Sequence, residues 1–180
     1  VPGHVRPIIA KLEECGCIVE DTLDGLRVKA DERPLTATDI KTLPYPGFPT
    51  DMQPIIATLL ALSNGTSTVI ETVWDSRYKY VSELKKMGAK INVNGNMAVI
   101  EGVESFSGAP VLATDLRAGA ALVTAAVAAR GETEIGALNH IDRGYENFVE
   151  KLRGLNIDAI RIKEETSEIS KIGDLTNARV

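Results

Sequence analysis

Apolar positions recur in three similar stretches of the chain. Ile8, Ile9 and Leu12, then Tyr80, Val81 and Leu84, then Phe148, Val149 and Leu152 each fall on one face of a helical period. Four residues after each Leu stands Gly16, Gly88 or Asn156. These residue types best tolerate the left-handed conformation that closes a helix. A strand is predicted after each cap, over Cys17 to Glu20, Lys90 to Val93 and Ile157 to Ile162. Asp24-Gly25 and Asn94-Gly95 predict the tips of two hairpins. The third copy has no such tip, and its tail turns polar.

Two helices of another kind precede the second and third copies. One is predicted over Asp51 to Leu62 and the other over Asp115 to Ala129. Residues 118–129 carry seven alanines and a single polar side chain, Thr124. A helix apolar nearly all round is buried on most sides and approached closely by its neighbours. Thr50-x-x-Gln53 has the form of a capping box for the first of them. A β-branched stretch follows each, Thr66 to Val73 and Thr133 to Leu138. The repeating unit is therefore buried helix, strand, amphipathic helix, strand pair. Asp115 follows Asp51 by 64 residues, which sets the period. Counting back one period from Asp51 falls before Val1, so the chain is expected to be part of something longer.

Composition narrows the class. At 44% hydrophobic residues the chain is too apolar for disorder. Two cysteines, Cys15 and Cys17, are too few for a secreted disulfide scaffold and are expected as small core or edge thiols. A net charge of −5 argues against a polybasic nucleic-acid module. The apolar runs are too short for a membrane span, and Val1 to Ile18 lacks the continuous apolar core of a signal peptide. A cytoplasmic protein is expected. The lone His4 and His140 do not suggest a metal site.

The informative residues are polar ones at equivalent positions. Asp51 and Asp115 each follow a Thr and open a buried helix. Arg77 and Arg143 are expected to open the amphipathic helices that follow, and Arg117 lies two residues beyond Asp115. An Asp suits a helix N-terminus, whereas an Arg there opposes the dipole. Repeated arginines at such sites point to an anion. Plain capping by the aspartates, an Asp115–Arg117 pair, and solvated arginines stand as alternatives. Three prolines and Gly47 between residues 44 and 49 make a stiff lead into Asp51, fit either to position a carboxylate or to strap the fold.

The stretch from Tyr45 to Gln53, Tyr-Pro-Gly-Phe-Pro-Thr-Asp-Met-Gln, resembles a signature of the UDP-N-acetylglucosamine 1-carboxyvinyltransferases, within the enolpyruvyl transferase family. So do Ala113-Thr114-Asp115-Leu116-Arg117-Ala118 and His140-Ile141-Asp142-Arg143-Gly144-Tyr145-Glu146. Gly108-Ala109-Pro110 and Ser76-Arg77-Tyr78 agree. The resemblance runs in order over residues 1 to 162. It implies an α/β (α+β) fold, the inverse α/β prism of repeated βαβαββ units with helices inside and sheets outside. Residues 1–163 would be most of the C-terminal domain of a two-domain enzyme, and 164–180 an unassigned polar tail. The family's N-terminal domain carries a cysteine on a mobile loop, a Lys-Asn pair and further arginines. It is not matched here, and Cys15 and Cys17 do not inherit that cysteine's role.

The implied reaction moves enolpyruvyl from phosphoenolpyruvate to the 3-hydroxyl of UDP-N-acetylglucosamine and releases phosphate, the first committed step of peptidoglycan synthesis. Asp51 matches the residue that takes the hydroxyl proton and binds the sugar. Asp115 matches one linked to proton transfer at phosphoenolpyruvate. Arg117 and Arg143 match phosphoenolpyruvate-side arginines, and Arg77 another active-site arginine. Val73 matches a backbone contact to the UDP-sugar, and Trp74 follows it. The cleft between the two domains would close on substrate. No cofactor or metal is implied, and the expected partners are the two substrates and the N-terminal domain. The isolated 180 residues are expected to turn nothing over. A transferase using shikimate 3-phosphate, or a non-catalytic repeat or nucleotide-sugar-binding module, is the alternative.

Overall fold

The computed structural model describes residues 2–30, 34–163 and 176–179. They divide into two compact units, one of residues 1–78 and 89–104, the other of residues 79–88 and 105–180.

The first unit begins with α1 (Arg6–Glu14) and a hairpin of β1 (Ile18–Thr22) and β2 (Gly25–Lys29). Its main sheet combines β3 (Ile40–Lys41), β4 (Thr66–Ile70), β5 (Lys90–Asn94) and β6 (Met97–Glu101) in the order β3-β4-β6-β5. Strands β3 and β4 are parallel, joined by the crossover helix α2 (Gln53–Leu60). Strand β6 is antiparallel to both β4 and β5. Helix α2 buries Ile56, Ala57 and Leu60, and Val69, Ala98 and Ile100 of the sheet are buried in the same unit. Removing such side chains from water is the main force holding the layers together.

The second unit takes α3 (Val81–Lys86), β7 (Phe106–Ser107), β8 (Pro110–Leu112), α4 (Leu116–Ala128), β9 (Ala129–Arg130), β10 (Glu134–Gly136), α5 (Asn139–Asp142), α6 (Phe148–Gly154), β11 (Ile160–Lys163) and β12 (Thr176–Arg179). Its sheet order is β8-β10-β12-β11. Strands β8 and β10 are parallel across α4, and β12 is antiparallel to β10 and β11. This is the first unit's topology again, as the repeat predicts, and the class is α/β. Strand β12 supplies the pairing strand for which the third copy shows no hairpin tip. Residues 164–175, most of the polar tail, lie outside the described residues.

The helix caps fall where the apolar pattern places them. Gly16, Gly88 and Asn156 have φ of +93°, +97° and +60°. The buried carboxylate of Glu83 on α3 accepts the Leu112 N–H at 2.8 Å and the Lys86 ammonium at 2.7 Å, tying α3 to β8. Cys15 and Cys17 are both buried and reduced. Burial, with the neighbouring Cys17 and Glu14, pushes the Cys15 thiol from 9.0 up to about 11.

Some local expectations shift. The hairpin turns fall on Leu23-Asp24 and Gly95-Asn96, since Thr22 pairs with Gly25 and Asn94 with Met97. The Thr50–Gln53 capping box does not form. Thr50 instead starts a 3-10 turn, Thr50–Met52, that leads into α2 with no side-chain cap. Neither arginine opens its amphipathic helix: Arg77 lies in the turn three residues before Tyr80, the N-cap of α3, and Arg143 does not open α6. It is the C-cap of α5, where the helix dipole favours a cation, so the dipole argument for an anion fails at that residue.

Candidate active site

The stiff lead into α2 is a closed turn. The Leu43 N–H donates to the Phe48 carbonyl at 3.0 Å, and the Gly47 N–H to the Pro44 carbonyl at 2.8 Å. A Cβ at Gly47 would collide with that of Leu43, so only glycine lets the turn close this tightly. The turn delivers Thr50 and Asp51 to the start of α2.

Asp51 does not find the usual N-cap donors there. A capping carboxylate accepts N–H groups two or three residues ahead. The Gln53 N–H is bonded to the Thr50 carbonyl, and Pro54 has no N–H. The Asp51 side chain is 62% exposed, and its Oδ1 lies 3.8 Å from Nη2 of Arg77. The Arg77 side chain is only 10% exposed. Its Nε donates to Thr50 Oγ1 at 3.2 Å, and its guanidinium lies over the Trp74 ring, 5.5 Å from the centroid. Trp74 is 65% exposed and Val73 is also exposed. Asp51, Val73, Trp74 and Arg77 thus gather in the first unit.

The pattern of alternating polarity does not single out Glu71, which joins them. Its side chain is buried. Oε1 accepts the Thr42 hydroxyl at 2.7 Å and the N–H groups of Val73 at 2.9 Å and Trp74 at 3.0 Å. Oε2 accepts the Thr50 hydroxyl at 2.8 Å. Tyr78 lies close by, donating to the Val69 carbonyl at 2.8 Å, and burial pushes its phenol up to about 12.

Asp115, Arg117 and Arg143 belong to the second unit. Asp115 is the N-cap of α4. Its Oδ1 accepts the N–H groups of Arg117 and Ala118, both at 2.9 Å. Arg117 is half-buried in the first turn and Arg143 is exposed. The α5 segment lies tight against α4. A Cβ at Gly119 would strike Ile141, and one at Gly144 would strike Leu116. Arg143 therefore lies between Ile141 and Gly144, which pack against Gly119 and Leu116 of α4. The adjacent Asp142 is ion-paired to Arg161. Among the described residues, no cluster of His, Cys, Asp and Glu could hold a metal ion, and no helix is long and apolar enough to cross a membrane.

Known proteins share the sequence and fold of this chain. The chain is 56% identical over 164 residues to UDP-N-acetylglucosamine 1-carboxyvinyltransferase 3 of Caldanaerobacter subterraneus, covering 91% of this chain and 39% of that protein. It is 54% identical over 155 residues to the UDP-N-acetylglucosamine 1-carboxyvinyltransferase of Desulfofundulus thermocisternus, covering 86% and 63%. The chain thus spans about two-fifths of the first relative and under two-thirds of the second. The crystal structure of the enolpyruvyl transferase NikO from Streptomyces tendae superposes with a TM-score of 0.79 at 30% identity, over 86% of this chain and 36% of that one. EPSP synthase from Acinetobacter baumannii shares the fold, with a TM-score of 0.62 at 15% identity, over 96% and 38%. The profile of EPSP synthase (3-phosphoshikimate 1-carboxyvinyltransferase) matches residues 1–152, and the chain therefore belongs to that family of enolpyruvyl transferases.

Proposed function

We propose that these residues serve the transfer of enolpyruvyl from phosphoenolpyruvate to the 3-hydroxyl of UDP-N-acetylglucosamine, with release of phosphate. On this reading, residues 1–163 form most of the C-terminal domain of a two-domain cytoplasmic enzyme of peptidoglycan synthesis. The observation that supports it best is Asp51, a largely exposed carboxylate on a rigid helix entry, 3.8 Å from the Arg77 guanidinium. The names of the relatives favour the UDP-sugar as acceptor.

A sugar hydroxyl is a weak nucleophile at neutral pH, so a base must accept its proton as it attacks. Asp51 takes that proton while the hydroxyl oxygen bonds to C2 of phosphoenolpyruvate. C3 gains a proton in the addition and loses one when the C2–O bond to phosphate breaks. Asp115 serves those transfers. Arg117, Arg143 and Arg77 hold the phosphate and carboxylate charges, a task suited to a side chain that stays protonated. The Val73 N–H is engaged by Glu71, so the backbone group Val73 offers the sugar is its carbonyl. Trp74 presents an exposed ring on the same side.

The test is phosphate release from phosphoenolpyruvate by a complete transferase carrying these residues, with either acceptor. Release is expected with UDP-N-acetylglucosamine and not with shikimate 3-phosphate. The reverse preference would move the chain to the sister activity, and release with neither would leave it a binding module.

A further inference from the structure

Glu71 is 3% exposed, and no proton transfer or charge contact above uses it. We infer that Glu71 is a positioning residue that fixes the direction of the Thr50 hydroxyl and, through it, the pose of Arg77 against Asp51. This rests on Asp51 being the proton acceptor.

A threonine hydroxyl has one proton, and a guanidinium has no acceptor. Thr50 donates its proton to Glu71 Oε2 and so turns a lone pair to Arg77 Nε. Were that proton aimed at Arg77, two donors would face each other. The two Glu71 oxygens therefore do different work. Oε1 ties down the loop through Val73 and Trp74, and the Trp74 ring lies under the guanidinium. Oε2 sets the Thr50 hydroxyl. One carboxylate thus anchors both groups that bracket Arg77, leaving Nη2 toward Asp51.

Glutamine separates the two tasks. Three donors converge on the Oε1 position, so an amide must place its oxygen there. Its NH2 then meets Thr50 and donates, so the hydroxyl proton is no longer held toward residue 71 and is released to turn toward Arg77 Nε. In Glu71→Gln the loop stays tied, while the bond from Arg77 Nε to Thr50 is no longer enforced and weakens.

The test is hydrogen exchange by NMR on the 180-residue chain. In Glu71→Gln, the Val73 and Trp74 amides keep their protection, while Arg77 Nε–H exchanges roughly tenfold faster, the weight of one hydrogen bond. Thr50→Val reproduces the Arg77 effect and Thr50→Ser does not. In a complete transferase, Glu71→Gln lowers kcat by more than about tenfold, with KM for UDP-N-acetylglucosamine changed by less than about threefold. Unchanged Arg77 exchange in Glu71→Gln or in Thr50→Val overturns the inference. So does a loss in KM alone. If Glu71→Gln does not fold, the Thr50 pair decides. Should Asp51→Asn keep full turnover while Arg77 exchange still responds to Glu71→Gln, the base assignment fails and the coupling stands.

Discussion

Asp51 and Asp115 look alike in the sequence. Each follows a threonine, opens a buried crossover helix and lies one period from the other. Their surroundings nonetheless differ. Asp115 gives Oδ1 to two backbone N–H groups of α4. Asp51 has Pro54 where Asp115 has Ala118, so the donor three residues ahead is missing. Its carboxylate turns instead to the Arg77 guanidinium, itself held by Thr50 and Trp74. One imino acid thus removes from Asp51 the capping donor that Ala118 offers Asp115.

Substitutions can break this comparison at either end. The largest effect among them is expected from Asp115→Asn in a complete transferase. The amide oxygen still caps α4, so the unfolding temperature holds, while turnover falls roughly a hundredfold as a proton-transfer group is lost. Pro54→Ala should blur the distinction. It restores an N–H three residues beyond Asp51, and capping, at about 1 kcal/mol, then competes with Arg77 for the carboxylate. Turnover is expected to fall several-fold while α2 gains stability, read by steady-state kinetics and thermal unfolding. Asp115→Ala should cost the chain about 1 kcal/mol in denaturant titrations, the worth of a lost N-cap.

An effect absent at neutral pH concerns Cys15. Its folded thiol titrates near 11 against 9.0 for an ordinary one. The fold thus favours the protonated form. That contribution is fully present below pH 9.0 and is lost as pH rises through about 11. Cys15→Ala should flatten the alkaline decline in stability over that window, measured by urea unfolding at several pH values.

The repeat was readable because helix period, cap residue and strand recur together, and each has a local cause. Gly16, Gly88 and Asn156 show it, since a left-handed cap needs no distant partner. The hairpin tips moved by one residue because pairing register is set by both strands and not by the dipeptide alone. The capping box failed because the Thr50 hydroxyl is claimed by Glu71, 21 residues on. Glu71 itself stayed hidden. Its partners Thr42 and Thr50 are distant in sequence, and a lone Glu within Thr66 to Val73 reads as the outward face of a strand. The signal was the charge itself, set between Val69-Ile70 and Val73. The place of Arg143 at the end of α5 is not legible in the sequence, because so short a helix has no clear periodic signature of its own.

The most direct test of the account is Asp51→Asn in a complete transferase, with turnover and unfolding temperature measured on the same preparation. The account predicts a loss of at least about a hundredfold in kcat, the scale of a removed general base, with the unfolding temperature changed little, because an ion pair at 3.8 Å on a largely exposed carboxylate is worth little. Near wild-type turnover, or a loss of activity matched by a loss of stability, would contradict it.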